Sequence, residues 1–104
     1  MHCVIYSFEV IPGMEDQFFQ SWADMTDLIY QYEGSLGSRL HKEADGRYIA
    51  YAQWPDAETY DRSGEAIPNE LAAPVRAMMR AACSEIKTLF RMEMLDDRLQ
   101  STLK

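Results

Sequence analysis

The stretch His2 to Ile11 (HCVIYSFEVI) is apolar at both alternating sets, with Val4, Tyr6, Phe8 and Val10 on one side and Cys3, Ile5 and Ile11 on the other. That pattern predicts a strand covered on both faces. Pro12-Gly13 closes it. Phe18, Trp22, Met25, Ile29 and Tyr32 then recur at steps of four, three, four and three, the period of an amphipathic helix over Met14 to Tyr32. Glu15 and Asp16 suit the positive end of its macrodipole, and Gly34 offers a left-handed stop.

Leu36 to Lys42 alternates again, Ala44-Asp45-Gly46 supplies a turn, and Arg47 to Trp54 (RYIAYAQW) completes a β-hairpin. Pro55 stops that strand, and Asp56 can cap a short helix from Ala57 to about Gly64. Leu71, Val75, Met78, Met79 and Ala82 form one face of a further helix, which Pro74 either begins or interrupts. Glu85 to Leu95 (EIKTLFRMEML) reads as a last strand with Phe90, Met92 and Met94 on one face, and DDRLQSTLK as a tail or short helix.

The order β-α-β-β-α-β with right-handed crossovers predicts an α+β, ferredoxin-like fold. Its four-stranded antiparallel sheet has the order 4-1-3-2, with both helices on one face. The other face would remain an apolar patch larger than a monomer tolerates, so a second copy is expected to cover it as a homodimer. In this strand order Cys83 lies beside the far end of the first strand, away from Cys3. No intrachain disulfide is therefore expected.

Composition narrows the functional classes. At 104 residues the chain holds one domain, and 47% hydrophobic residues are enough for a packed core. Six Tyr, four Phe, two Trp and seven Met exceed what one small core needs, which suggests apolar surface kept for a ligand or a subunit. A net charge of −7 opposes nucleic acid and anionic lipid as partners. No apolar run reaches the length of a membrane span and the first strand carries no leader-like pattern, so a cytoplasmic protein is expected. The scattered His and Cys residues offer no metal-ligand spacing. Glycine-rich phosphate loops and nucleophile-elbow motifs are absent as well.

The strand running into Pro12-Gly13, the helix centred on Trp22, Gly34 ahead of the hairpin, and Tyr51-Ala52-Gln53-Trp54 followed by Asp56-Ala57-Glu58 carry a resemblance. The chain resembles the antibiotic biosynthesis monooxygenase family of the dimeric α/β-barrel superfamily, over residues 3 to 62 and more weakly to 95. The resemblance implies a domain over residues 1–95 with a C-terminal tail over 96–104. The family includes cofactor-free oxygenases of polyphenolic substrates, quinol oxidases and haem-degrading enzymes. Its anthrone-oxygenase branch lines the pocket with a Trp on the third strand and a Tyr six residues later, positions that fall on Trp54 and Tyr60. The branch's Asn four residues before the Trp is replaced by Ala50, and its helical Arg has Arg76, offset by two, as nearest counterpart. Haem degradation is not expected, because that branch uses a His in the second helical region and none occurs between Ala57 and Lys104.

Read for their own chemistry, Trp54 and Tyr60 are either core aromatics or pocket wall. His41 is the one histidine well inside a regular element, with Arg39 one pleat away. If their face lines a cavity, His41 could take a substrate proton while Arg39 steadies the phenolate; if it faces solvent, both are solubilising charges. Tyr6, Ser7, Tyr48 and Tyr51 offer further polar tips, but sequence does not select the face. The expectation is a cofactor-independent monooxygenase or quinol oxidase acting on a small aromatic or quinone-like substrate, without metal. Trp54, Tyr60 and His41 would be catalytic, and Arg39, Tyr51 and Arg76 would contact substrate. The alternatives are a non-catalytic dimeric binder of a small apolar ligand and a purely structural dimer.

Overall fold

The computed structural model describes residues 1–100. Four strands and three helices follow in the order β1 (His2–Val10), α1 (Glu15–Glu33), β2 (Gly37–Ala44), β3 (Arg47–Trp54), α2 (Ala57–Asp61), α3 (Asn69–Ala82) and β4 (Cys83–Glu93). The strands form one antiparallel sheet in the order β2-β3-β1-β4, the expected ferredoxin-like arrangement. The expected tail over 96–104 lies partly outside the described residues, and no regular element occurs over 94–100. No helix among the described residues is long and apolar enough to cross a membrane.

Pairing of β1 with β3 sets Phe8 beside Tyr48, Tyr6 beside Ala50, Val4 beside Ala52 and His2 beside Trp54. Because antiparallel partners share a face, these residues form one surface, and it is the surface on which the helices lie. Phe18 of α1 is fully buried there, its ring 5.0 Å from Phe8 and 5.5 Å from Tyr48. Met25 of α1 meets Ile67 and Ala72 in a second cluster that joins α1 to α3. α1 ends on Gly34, whose φ of 79° is the left-handed conformation that a side chain resists.

Asp56 caps α2 as its position suggests, accepting the Thr59 N–H at 2.7 Å. That helix stops at Asp61, short of the expected Gly64. α3 runs through Pro74 rather than starting there, and passes into β4 at Cys83 without a loop, so the last strand begins two residues before the expected Glu85. Val10 pairs with Cys83 and Cys3 with Met92. The two thiols therefore sit at opposite ends of β1, and both are free.

Candidate functional site

Between the sheet and the helices lies a cavity of about 480 Å³, within the size range of small-molecule sites. Its floor is the helix-side face of β1 and β3, where the small side chains of Ala50 and Ala52 leave space that larger residues would fill. Trp22, Met25 and Ile29 of α1 form one wall, and Arg76, Met79 and Arg80 of α3 another. The helical period thus supplies the wall, since Trp22, Met25 and Ile29 belong to the same stripe that packs α1 on the sheet. Ser63 and Gly64 border the space from the connection after α2.

Trp54 closes one end. It is 3% exposed, and its indole N–H has no hydrogen-bond partner in the protein. Tyr60 of α2 meets it edge to face with ring centroids 5.4 Å apart, a favoured aromatic geometry. The Tyr6 hydroxyl, which reaches Tyr60 from β1, donates to the Tyr60 hydroxyl oxygen at 3.4 Å. Burial, reinforced by this contact, pushes the Tyr6 phenol well above its ordinary range, so it stays neutral at any physiological pH. Behind Tyr60, the Arg91 guanidinium lies 4.9 Å from the ring centroid, bonds Asp61 at 2.7 Å and donates from Nε to His2 Nε2 at 3.4 Å. This cluster holds the Tyr60 ring against a guanidinium that is itself anchored by Asp61.

Glu33, the last residue of α1, is the carboxylate of the cavity wall and is only 8% exposed. Both of its oxygens are engaged, Oε1 accepting the Gly64 N–H and Oε2 the Ala66 N–H. It therefore acts as a clamp on the segment that borders the cavity. Among the described residues, no group of three or more His, Cys, Asp and Glu side chains gathers in a way that could hold a metal ion.

Of the residues singled out from sequence, the structure brings together Trp54, Tyr60 and Arg76. Trp54 and Arg76 line the cavity, and Tyr60 packs behind Trp54. His41, Arg39 and Tyr51 do not join them. Arg39 pairs with Tyr51, His41 with Ile49, and Tyr51 with Ile5, all on the sheet face turned away from the helices. The sheet itself separates them from the cavity, because parity along each strand decides the face. His41 Nδ1 lies 3.2 Å from the Ile49 carbonyl, and the Tyr51 hydroxyl lies 3.1 Å from both Cys3 Sγ and Gln53 Nε2. The structure thus places these three outside the cavity of one chain, on the face opposite the helices. Glu33 and Arg80 were not apparent from sequence. Arg80 carries one usable signal, its spacing of four from Arg76, which places both on one helix face.

The same architecture recurs in solved structures. An antibiotic biosynthesis monooxygenase aligns over 92% of this chain and 100% of its own, with a TM-score of 0.71 and 16% identity. SnoaB, a cofactor-independent oxygenase from Streptomyces nogalater, aligns over 92% and 97% with a TM-score of 0.69 and 19% identity. The protein Rv0793 of Mycobacterium tuberculosis aligns over 94% and 98% with a TM-score of 0.71 and 15% identity. At such identities the likeness speaks for the fold. No curated protein sequence matches the chain. Residues 1–66, which hold β1, α1, the hairpin, Trp54 and Tyr60, match the antibiotic biosynthesis monooxygenase family, and the chain belongs to that family.

Proposed function

We propose that the protein is a cofactor-independent monooxygenase that binds a small aromatic or quinone-like substrate between its sheet and its helices. The observation that carries this reading is the cavity of about 480 Å³, walled by Trp22, Met25 and Trp54. An aromatic ring can stack there out of water, as cofactor-free oxygenation requires. An electron-rich phenol or enol, once deprotonated, passes an electron to dioxygen itself, so the protein supplies orientation and water exclusion. For a ring methylene the balance is closed: CH2 and O2 give a carbonyl and water, the substrate providing all four electrons. Trp54 would hold the ring, and Tyr60, braced by Arg91, would orient a substrate oxygen through the neutral Tyr6 hydroxyl. The solved relative described as a cofactor-independent oxygenase supports the reaction class.

The protein would work as a homodimer through the sheet face opposite the helices. Phe90 and Met92 of β4 stand on that face, 60% and 41% exposed, beside Ile5 and Cys3 of β1.

A second reading, a non-catalytic binder of the same ligands, is favoured by three features. The cavity presents no histidine, its carboxylate Glu33 is engaged by two backbone amides, and Ala50 stands where anthrone oxygenases carry Asn. Oxygen consumption by metal-free, flavin-free protein with an anthrone or a hydroquinone separates the two. Turnover that falls in Tyr60→Phe and Trp54→Ala is expected. Saturable binding, read by tryptophan fluorescence, without oxygen uptake assigns the protein to the binders.

A further inference from the structure

Arg76 and Arg80 share the lack of an acidic partner with Arg39 on the opposite sheet face, but among the described cations they are the two that border the cavity. Arg47, Arg62, Arg91, Arg98, Lys42 and Lys87 each meet a carboxylate within 4.0 Å. With 17 Asp and Glu against 10 Lys and Arg, acidic partners are plentiful. Yet among the described residues, Arg76 and Arg80 make neither an ion pair nor a side-chain hydrogen bond. Both line the cavity, four residues apart on one face of α3. Like charges at that spacing oppose each other and weaken a helix. The nearby carboxylate in the cavity wall, Glu33, is taken by the Gly64 and Ala66 amides and does not neutralise them.

From this arrangement we infer that Arg76 and Arg80 form a carboxylate-binding fork, and that the preferred ligand is a planar ring system bearing a carboxylate. The inference rests on the cavity being the ligand site. Arg76 is half-buried and Arg80 exposed, so the fork sits toward the mouth, while Trp22 and Met25 supply an apolar interior for the rings. Guanidinium groups match a carboxylate through paired N–H donors and remain charged throughout the physiological range. A carboxylate in the fork would relieve the repulsion between the two arginines and stay partly hydrated. The fused rings would lie against the alanine floor of β3.

Calorimetric titration of the full chain with 1-hydroxy-2-naphthoate and with 1-naphthol tests the inference. The naphthoate should bind tighter by about tenfold or more, the scale of one charge-assisted hydrogen bond. Arg76→Gln and Arg80→Gln should each erase most of that difference while leaving 1-naphthol affinity and the circular dichroism spectrum unchanged. Raising salt should weaken the naphthoate alone. Equal affinities, no binding of either probe, or variants that weaken both probes alike would overturn the fork. Oxygen uptake is read separately, so a fork confirmed without turnover removes the monooxygenase reading and leaves this one standing.

Discussion

Tyr6 shows how a single burial sets a chemical state. Its hydroxyl loses water, faces Tyr60 and is held well above the ordinary phenol range near pH 10. An unfolded chain releases that proton near pH 10, whereas the native protein keeps it. Tyr6 therefore contributes stability that is fully present below pH 10 and is lost as the pH rises further. The thermal midpoint of Tyr6→Phe should consequently fall less steeply than that of wild type between about pH 9.5 and 11. Identical slopes would show that the phenol ionises as freely in the native state as in the unfolded one. Trp54 is the complementary case, a large ring whose worth is mostly packing against Tyr60, Val4 and Ala52. Trp54→Ala should destabilise the fold by about 3–5 kcal/mol in urea unfolding, through lost contacts and an unfilled hole. Loss of ligand binding in that variant is meaningful only where folding is first confirmed.

At the level of elements, the joint between α1 and the segment after α2 determines how firmly the cavity is bordered. Glu33 places a carboxylate at the negative end of the α1 macrodipole, an unfavourable position unless local donors compensate. The Gly64 and Ala66 amides are those donors. Glu33→Ala should speed hydrogen exchange at both amides by about tenfold or more, reflecting loss of hydrogen bonds to a charged acceptor worth about 1.5–3 kcal/mol. Unchanged exchange there would mean that the segment is held by packing alone. Such a clamp is invisible in sequence because its partners lie thirty residues apart and one of its donors is glycine backbone. α1 was legible because a strict period of apolar residues ends in glycine, and Asp45-Gly46 marked the hairpin in the same way. The α3 to β4 junction was not, since Ala82-Cys83-Ser84 contains no glycine or proline and the chain changes conformation at Cys83 directly. The site divided along similar lines. The family resemblance singled out Trp54 and Tyr60, whose rings the structure sets in contact, whereas the choice between the faces of Tyr6 and Tyr51 was hidden by strands that are apolar at both parities.

For the whole molecule, that ambiguity has a physical meaning, because a sheet apolar on both faces leaves apolar side chains on whichever face the helices do not cover. The helices bury Val4, Phe8, Tyr48 and Ala52 on one side. On the other side Ile5 stands between Tyr51 and Phe90, and Ser7 between Ile49 and Lys87. Phe90 remains 60% exposed there, more than a ring of that size contributes usefully to a monomer. A second copy seated on this face would bury both sets of residues at once, as a two-fold contact demands. Light scattering at micromolar concentration should then report twice 12.0 kDa. Phe90→Glu should raise the dimer dissociation constant by about a hundredfold, from lost apolar burial of about 1.5–3 kcal/mol together with the cost of desolvating a carboxylate. Phe90 faces away from the cavity, so the same variant also reveals whether ligand binding depends on assembly. A monomeric variant that still binds naphthol confines the site to one chain. A variant that loses it would return Arg39, His41 and Tyr51 to consideration, as groups through which one protomer supports the cavity of its partner. Wild-type protein that scatters as a single 12.0 kDa chain at that concentration would sink the dimer, and with it the explanation for Phe90.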